Sequence, residues 1–150
     1  ILTTNVGTDH IMQATAKGDA RPDAEALSVE LKPHLLTVFP PALLGRIVTI
    51  PYFPLSADML GGIVRLQLDR IGRRIRDNHH AAFLYDDAVV QKIVSMCNDP
   101  DSGGRMVDNI VTNTLLPALS RQILNKSIGR EEFRETTVGV DAGEFVYGVH

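Results

Sequence analysis

Between residues 57 and 78 the apolar side chains Leu60, Ile63, Val64, Leu68, Ile71 and Ile75 recur every three or four positions, with Gln67 beside Leu68. That spacing gathers them into one stripe along a single long helix. The other face carries five arginines, Arg65, Arg70, Arg73, Arg74 and Arg76. The stripe must be covered by other elements, while the arginine face stays in water or meets a partner. The end of the chain is written in another period. Phe133 to Val140 and Glu144 to His150 alternate around Asp141-Ala142-Gly143, which predicts a β-hairpin with a short Gly-containing turn. Helices and a small sheet therefore share one chain, and the fold class is α+β.

The remaining elements follow from local chemistry. Pro51-Tyr52-Phe53-Pro54 brackets two aromatics between prolines and divides the chain into residues 1–50 and 51–150. In the second part Ser56 is placed to cap the long helix. Residues 82–85 read as a short strand, and Asp86 caps a helix over 87–98. Gly103-Gly104 precedes a helix over about 105–126, with Val107, Ile110, Val111, Leu115, Ala118 and Leu119 inward and Pro117 kinking it. In the first part Ile1 to Asn5 reads as a strand and residues 6–24 as a loop. Leu27, Leu31, Leu35 and Val38 have helical spacing, but Pro33 argues for two short helices. Pro40-Pro41 opens a brief helical turn ending near Gly45, and Arg46 to Ile50 is a β-branched run that predicts a strand. Opening on Ile1-Leu2-Thr3-Thr4 with no initiator Met, the sequence reads as a piece of a longer chain.

Several function classes lose ground. A net charge of −3 gives no bulk attraction to nucleic acid or to an anionic membrane. No apolar run approaches the roughly 20 residues that span a bilayer, and no signal-peptide pattern is present. The single cysteine, Cys97, excludes an internal disulfide and fits a reducing compartment, so a cytoplasmic setting is expected. His79 and His80 are adjacent and point about 100° apart on a helix, so no metal site is expected. Asp86-Asp87 superficially resembles a Mg²⁺-binding acidic pair after a buried strand, but a helix cap explains it better. A phosphate-binding loop needs glycines followed by Lys and Ser or Thr. Only Lys126 precedes such a residue, and Ser120 to Asn125 contain no glycine, so the motif is absent.

Three polar residues gain weight together. Asn5 ends an apolar run, where α/β sheets place reactive groups. Arg46 follows a helical turn, and Arg105 begins a helix after Asp101-Ser102-Gly103-Gly104. Singly, each is more often a cap or a surface residue. In this order and spacing they resemble the second AAA+ module of the Clp/Hsp100 unfoldases. Ile1 to Gly7 is similar to the sensor-1 strand, with Asn5 as sensor. Phe39 to Arg46 is similar to the arginine-finger segment, and Ser102-Gly103-Gly104-Arg105 to the sensor-2 motif, where Gly-Ala-Arg is usual. Leu55 through Arg74 is similar to the first helix of the small lid domain.

The resemblance implies a C-terminal piece of an AAA+ large domain (1–50) followed by a small lid domain, helical with a small C-terminal sheet (51–150). It implies that Asn5 orients the attacking water and that Arg46 reaches the γ-phosphate from a neighbouring subunit. It implies that Arg105 touches phosphate within its own subunit, with Ile63 and Gln67 lining the adenine pocket. ATP or ADP with Mg²⁺ is then the cofactor of the full-length protein, with none expected tightly bound to this piece, which should not hydrolyse ATP alone. Within the family, Gly45 replaces an Asn common in the disaggregases. Arg70 to Ile75 and Val107 to Pro117 are similar to the ClpV type of type VI secretion. That subfamily implies a homohexamer acting on VipA/VipB-type sheaths through domains outside this sequence. The alternatives are a ClpB-like disaggregase, or a non-catalytic oligomerisation module when the piece is isolated. Residues 8–38 hold one glycine, Gly18, between Lys17 and Asp19, so the apolar-Gly-apolar loop that engages a peptidase ring is missing and no such partner is expected.

Overall fold

The computed structural model describes residues 1–16, 22–97, 103–129 and 131–150. Two compact units meet at Pro54/Leu55, and each is described by itself.

The first unit holds α1 (Thr8–Ala16), α2 (Ala24–Leu36) and the short α3 (Pro41–Leu44). Asp23 starts α2 by accepting the Ala26 N–H at 2.9 Å. Leu27, Leu31 and Leu35, one turn apart, form the core, with Val6, Ile11, Ala14, Phe39, Leu44 and Phe53 packed on it. Gly7 has φ +87°, and a Cβ there would lie 2.6 Å from Leu31 Cδ2, so the turn into α1 needs glycine.

Three expectations are corrected in this unit. The loop expected over 6–24 contains α1, which buries no residue fully and so shows almost no apolar stripe. The break expected at Pro33 does not occur, and α2 runs through it. Pro33 and Val29 are both exposed, so the carbonyl left without an N–H partner is on the solvated side. Neither Ile1 to Asn5 nor Arg46 to Ile50 forms a strand. Val48 and Ile50 remain 87% and 70% exposed. Their β-branched side chains favour extended backbone, but a strand needs a neighbour, and the described residues of this unit offer none.

The second unit begins with α4 (Ala57–His79), followed by β1 (Ala82–Tyr85), α5 (Asp87–Met96) and α6 (Gly103–Ile110). A π-turn (Val111–Leu115) leads into α7 (Leu116–Ile128), and β2 (Glu135–Asp141) and β3 (Glu144–Val149) close the chain. Ser56 Oγ accepts the Met59 N–H at 3.2 Å, and Asp86 Oδ1 accepts the Val89 N–H at 3.1 Å, so both expected caps are made. The sheet order is β1-β2-β3. β1 runs parallel to β2, with Ala82 opposite Glu135, and α5 to α7 provide the crossover such a pair requires. The β2–β3 hairpin turns through Ala142 and Gly143, both with positive φ (47° and 82°), as the primed two-residue turn demands.

The α4 stripe is buried as expected: Val64, Leu68, Ile71 and Ile75 meet Val89, Val90, Ile93, Val107, Leu115, Leu119 and Val138 in one core. The helix expected over 105–126 is divided. Pro117 has no N–H for the Asn113 carbonyl, and just before it the backbone widens so that the Leu116 N–H reaches the Val111 carbonyl. The end of the helix expected at residue 98 lies outside the described residues.

Two glycines of α4 predict opposite outcomes. A Cβ at Gly62 meets nothing within 4 Å. Gly62→Ala should therefore stabilise the second unit by about 0.5–1 kcal/mol through helix propensity. At Gly72 a Cβ would already lie 3.3 Å from Phe83 Cδ1. Gly72→Leu should overpack the α4–β1 contact and cost about 1–3 kcal/mol. Denaturant melts of both variants check the pair of signs.

Candidate functional site

The amino-terminal half of α4 and the first turns of α6 form one contact. Gly103 has φ +44°, and a Cβ there would lie 3.6 Å from Leu55 Cδ1. A Cβ at Gly104 would lie 3.4 Å from Ile63 Cδ1. One turn further on, Gln67 Nε2 donates to Asp108 Oδ1 at 3.3 Å. The glycine pair thus seats the start of α6 close on α4, while Ile63 and Gln67 hold it. Arg105 is on the first turn of α6, exposed, and makes no ion pair with any described residue.

Of the five residues singled out in the sequence, the structure groups Ile63 and Gln67 on α4 with the helix that carries Arg105. Asn5 and Arg46 belong to the first unit. The Asn5 carbonyl accepts the Thr8 N–H at 3.2 Å and the Thr8 hydroxyl at 2.7 Å, starting α1, and the residue is exposed. Arg46 follows α3, donates its N–H to the Leu43 carbonyl at 2.9 Å and is exposed. No hydrogen bond or ion pair among the described residues joins Asn5 to Arg46. The sequence reading missed Asp108. Its only signal was position: four residues after Gly104, it falls on the same face of α6.

Other polar groups have structural explanations. The buried Thr136 hydroxyl donates to the Ala82 carbonyl at 3.0 Å and ties β2 to β1. Cys97 Sγ donates to the Ile93 carbonyl at 3.3 Å, and burial pushes its thiol pKa up, which disfavours the reactive thiolate. Burial, then the neighbouring Asp69 carboxylate, raises the Tyr85 phenol, whose hydroxyl donates to Asp69 Oδ1 at 3.3 Å. Arg65 binds Asp87 at 2.9 Å on the surface. Among the described residues no group of three or more His, Cys, Asp or Glu side chains could hold a metal ion. No helix of theirs is long and apolar enough to cross a membrane.

Residues 55–136, more than half of the sequence and beginning where the second unit begins, match the family described as the C-terminal, D2-small domain, of ClpB protein. The chain belongs to this Clp/Hsp100 family. The AAA+ ATPase ClpV1 of Pseudomonas aeruginosa is 46% identical over 147 residues, covering 98% of this chain. Chaperone protein ClpB of Yersinia enterocolitica is 40% identical over 124 residues, covering 83% of it. The chain spans 16% and 14% of the lengths of these two relatives. Among solved structures, a closed-state reconstruction of Hsp104 with ATPγS and FITC casein matches with TM-score 0.69 at 19% identity, over 98% of this chain and 24% of that one. A complex of Saccharomyces cerevisiae Hsp104 with casein in an extended conformation gives 0.71 at 22%, over 99% and 25%. At those identities the likeness establishes the fold alone, helical with a small sheet.

Two groups of this unit have the chemistry that one edge of a nucleotide would require. Ile63 offers an apolar surface beside the Gly104 backbone, and Arg105 offers an exposed cation. The glycine-rich cradle for phosphates is absent from the sequence.

Proposed function

We propose that this chain is the rear part of the second ATPase module of a ClpV-like protein, a cytoplasmic ring motor that disassembles contracted type VI secretion sheaths. The observation that carries the reading is the 46% identity to ClpV1 over 98% of the chain. Residues 1–50 are then the end of the large subdomain and 51–150 the lid. A ClpB-like disaggregase is the second reading, favoured by the 40% identity to ClpB and by the family match itself. The two separate in one assay: the full-length protein should free subunits from contracted sheaths in an ATP-dependent way and leave heat-aggregated protein untouched. The opposite pattern selects the disaggregase.

When bound, ATP with Mg²⁺ supplies a transferable γ-phosphoryl group and the charge that hydrolysis must redistribute. The residues of this chain act around that charge. Arg46 presents a guanidinium across the subunit boundary and stabilises charge that develops on the phosphoryl oxygens. Asn5 orients the attacking water by hydrogen bonding. Arg105 contacts phosphate from α6 in the same subunit. Because α6 is fixed to α4 through Gly104–Ile63 and Gln67–Asp108, movement of Arg105 carries the lid with it. Ile63 and Gln67 would line the adenine pocket. No peptidase ring is engaged.

Arg105→Ala in the full-length protein should cut turnover and uncouple lid position from nucleotide. Ring formation and lid stability should persist, because the core rests on buried Val107, Ile110 and Val111. Turnover, sedimentation and thermal melting of that variant test the role together; an unfolded lid would make Arg105 structural.

A further inference from the structure

α1 has few buried atoms to hold it. It buries no residue fully; Ile11 and Ala14 pack on the Leu27–Leu31–Leu35 cluster and stay half-buried. Its start is nevertheless seated on α2 by two close contacts. Gly7, at φ +87°, comes so near that a Cβ there would lie 2.6 Å from Leu31 Cδ2 and 3.8 Å from His34 Cβ. In the first turn of α1, His10 Nε2 donates to Glu30 Oε2 at 2.8 Å. The His10 and His34 rings lie 5.1 Å apart, tilted by 36°. Glu30 and His34 stand one turn apart on α2, so both meet His10 on one face. His10 is half-buried under this contact, while Glu30 and His34 are exposed.

α2 is the firm partner in this pair, because Leu27, Leu31 and Leu35 are buried. With few buried apolar contacts of its own, α1 is the element that can shift. The Asn5 carbonyl accepts both the N–H and the hydroxyl of Thr8, so the backbone of Asn5 travels with the first turn of α1. An exposed ion pair contributes little where a large core already fixes the geometry. Here the core contribution is small, and a charge-assisted bond from α1 to α2 is a large share of what holds the turn.

We infer that His10 and Glu30 are positioning residues for Asn5: their bond docks the first turn of α1 on α2 and so sets where Asn5 stands. The inference rests on the role proposed for Asn5 and extends it to two residues that touch neither nucleotide nor the attacking water. The ionised Glu30 carboxylate is an acceptor only, so it takes the imidazole N–H. The His34 ring beside it restricts where that imidazole can turn.

The test is ATP turnover of the full-length protein, with the first ATPase module of the proposed reading silenced. His10→Ala and Glu30→Ala should each lower turnover by about two- to fivefold, the shift in an equilibrium that loss of an exposed ion pair can give. Nucleotide affinity and the thermal melt should stay those of the parent, since Leu27, Leu31 and Leu35 are untouched. The double substitution should cost no more than either single one, because both remove the same bond. Glu30→Gln, which keeps an acceptor, should lose less than Glu30→Ala. In an Asn5→Ala background, itself impaired, His10→Ala should lower turnover no further. Unchanged turnover of His10→Ala and Glu30→Ala, with Asn5→Ala impaired, overturns the positioning role and leaves the ATPase reading standing. A loss of turnover that only follows a lowered melt, or a further loss in the Asn5→Ala background, also overturns it. An Asn5→Ala protein with full turnover would strike the role proposed for Asn5 itself, and this inference with it.

Discussion

Arg46→Ala in the full-length protein should lower ATP turnover by about 10³-fold or more, while nucleotide affinity and thermal stability stay close to those of the parent. The magnitude is that of removing an arginine finger, whose positive charge acts mainly on the transition state of phosphoryl transfer. The selectivity follows from where the residue sits. Arg46 is exposed after the short helix α3, and its backbone N–H donates to the Leu43 carbonyl. Substituting its side chain leaves Leu27, Leu31 and Leu35, the core of its unit, untouched. Steady-state turnover, nucleotide titration and a thermal melt separate the possibilities. If Arg46 served folding, stability would drop and activity would fall only in proportion to folded protein. On the proposed reading the full-length protein has a first ATPase module with a site of its own, which is silenced in the background so that turnover reports on Arg46 alone.

Leu68→Ala should cost the second unit about 2–5 kcal/mol, the usual range for removing a fully buried leucine. Leu68 is 0% exposed at the middle of α4 and belongs to the cluster that joins α4, α5, α6 and the sheet. Arg74→Ala, on the exposed face of the same helix, should change stability by less than about 0.5 kcal/mol. Paired chemical melts of the two variants check the contrast. Since a protein of this kind is stable by roughly 5–15 kcal/mol, the first change can leave a measurable unfolded fraction and the second cannot.

What the sequence could reveal followed from how much each segment depends on itself. The α4 stripe, the Ser56 and Asp86 caps and the Asp141-Ala142-Gly143 hairpin are each written in a few neighbouring residues, and all three are present. The first unit was harder to read. The apolar residues of α1 are at most half-buried, so its polar composition reads as a loop. Ile47, Val48 and Ile50 have strand propensity but no strand beside them, and propensity without a neighbour does not make a sheet. Pro33 is tolerated inside α2 because it falls on the exposed side, a tertiary fact that no local rule carries. At the candidate site, the stripe of α4 shows Ile63 and Gln67 as helix positions, and their place against α6 was not legible from it. Asp108 was not legible either, since one hydrogen bond between separate helices leaves no periodic trace. The division of the helix ahead of Pro117 was half visible: the proline announced a disturbance, while its form as a π-turn with Val111 and Leu115 buried was not written in the local sequence.

The claim that this chain completes the ATP site of a neighbouring subunit is tested most directly by mixing two inactive proteins. One carries Arg46→Ala with its own phosphate site intact. The other retains Arg46 but cannot hydrolyse ATP, and the first module is silenced in both. In mixed rings some intact sites then face a normal Arg46, so turnover should reappear and pass through a maximum as the mixing ratio is varied. Rings shown to be mixed that remain inactive at every ratio would contradict the account and leave Arg46 a residue of its own unit.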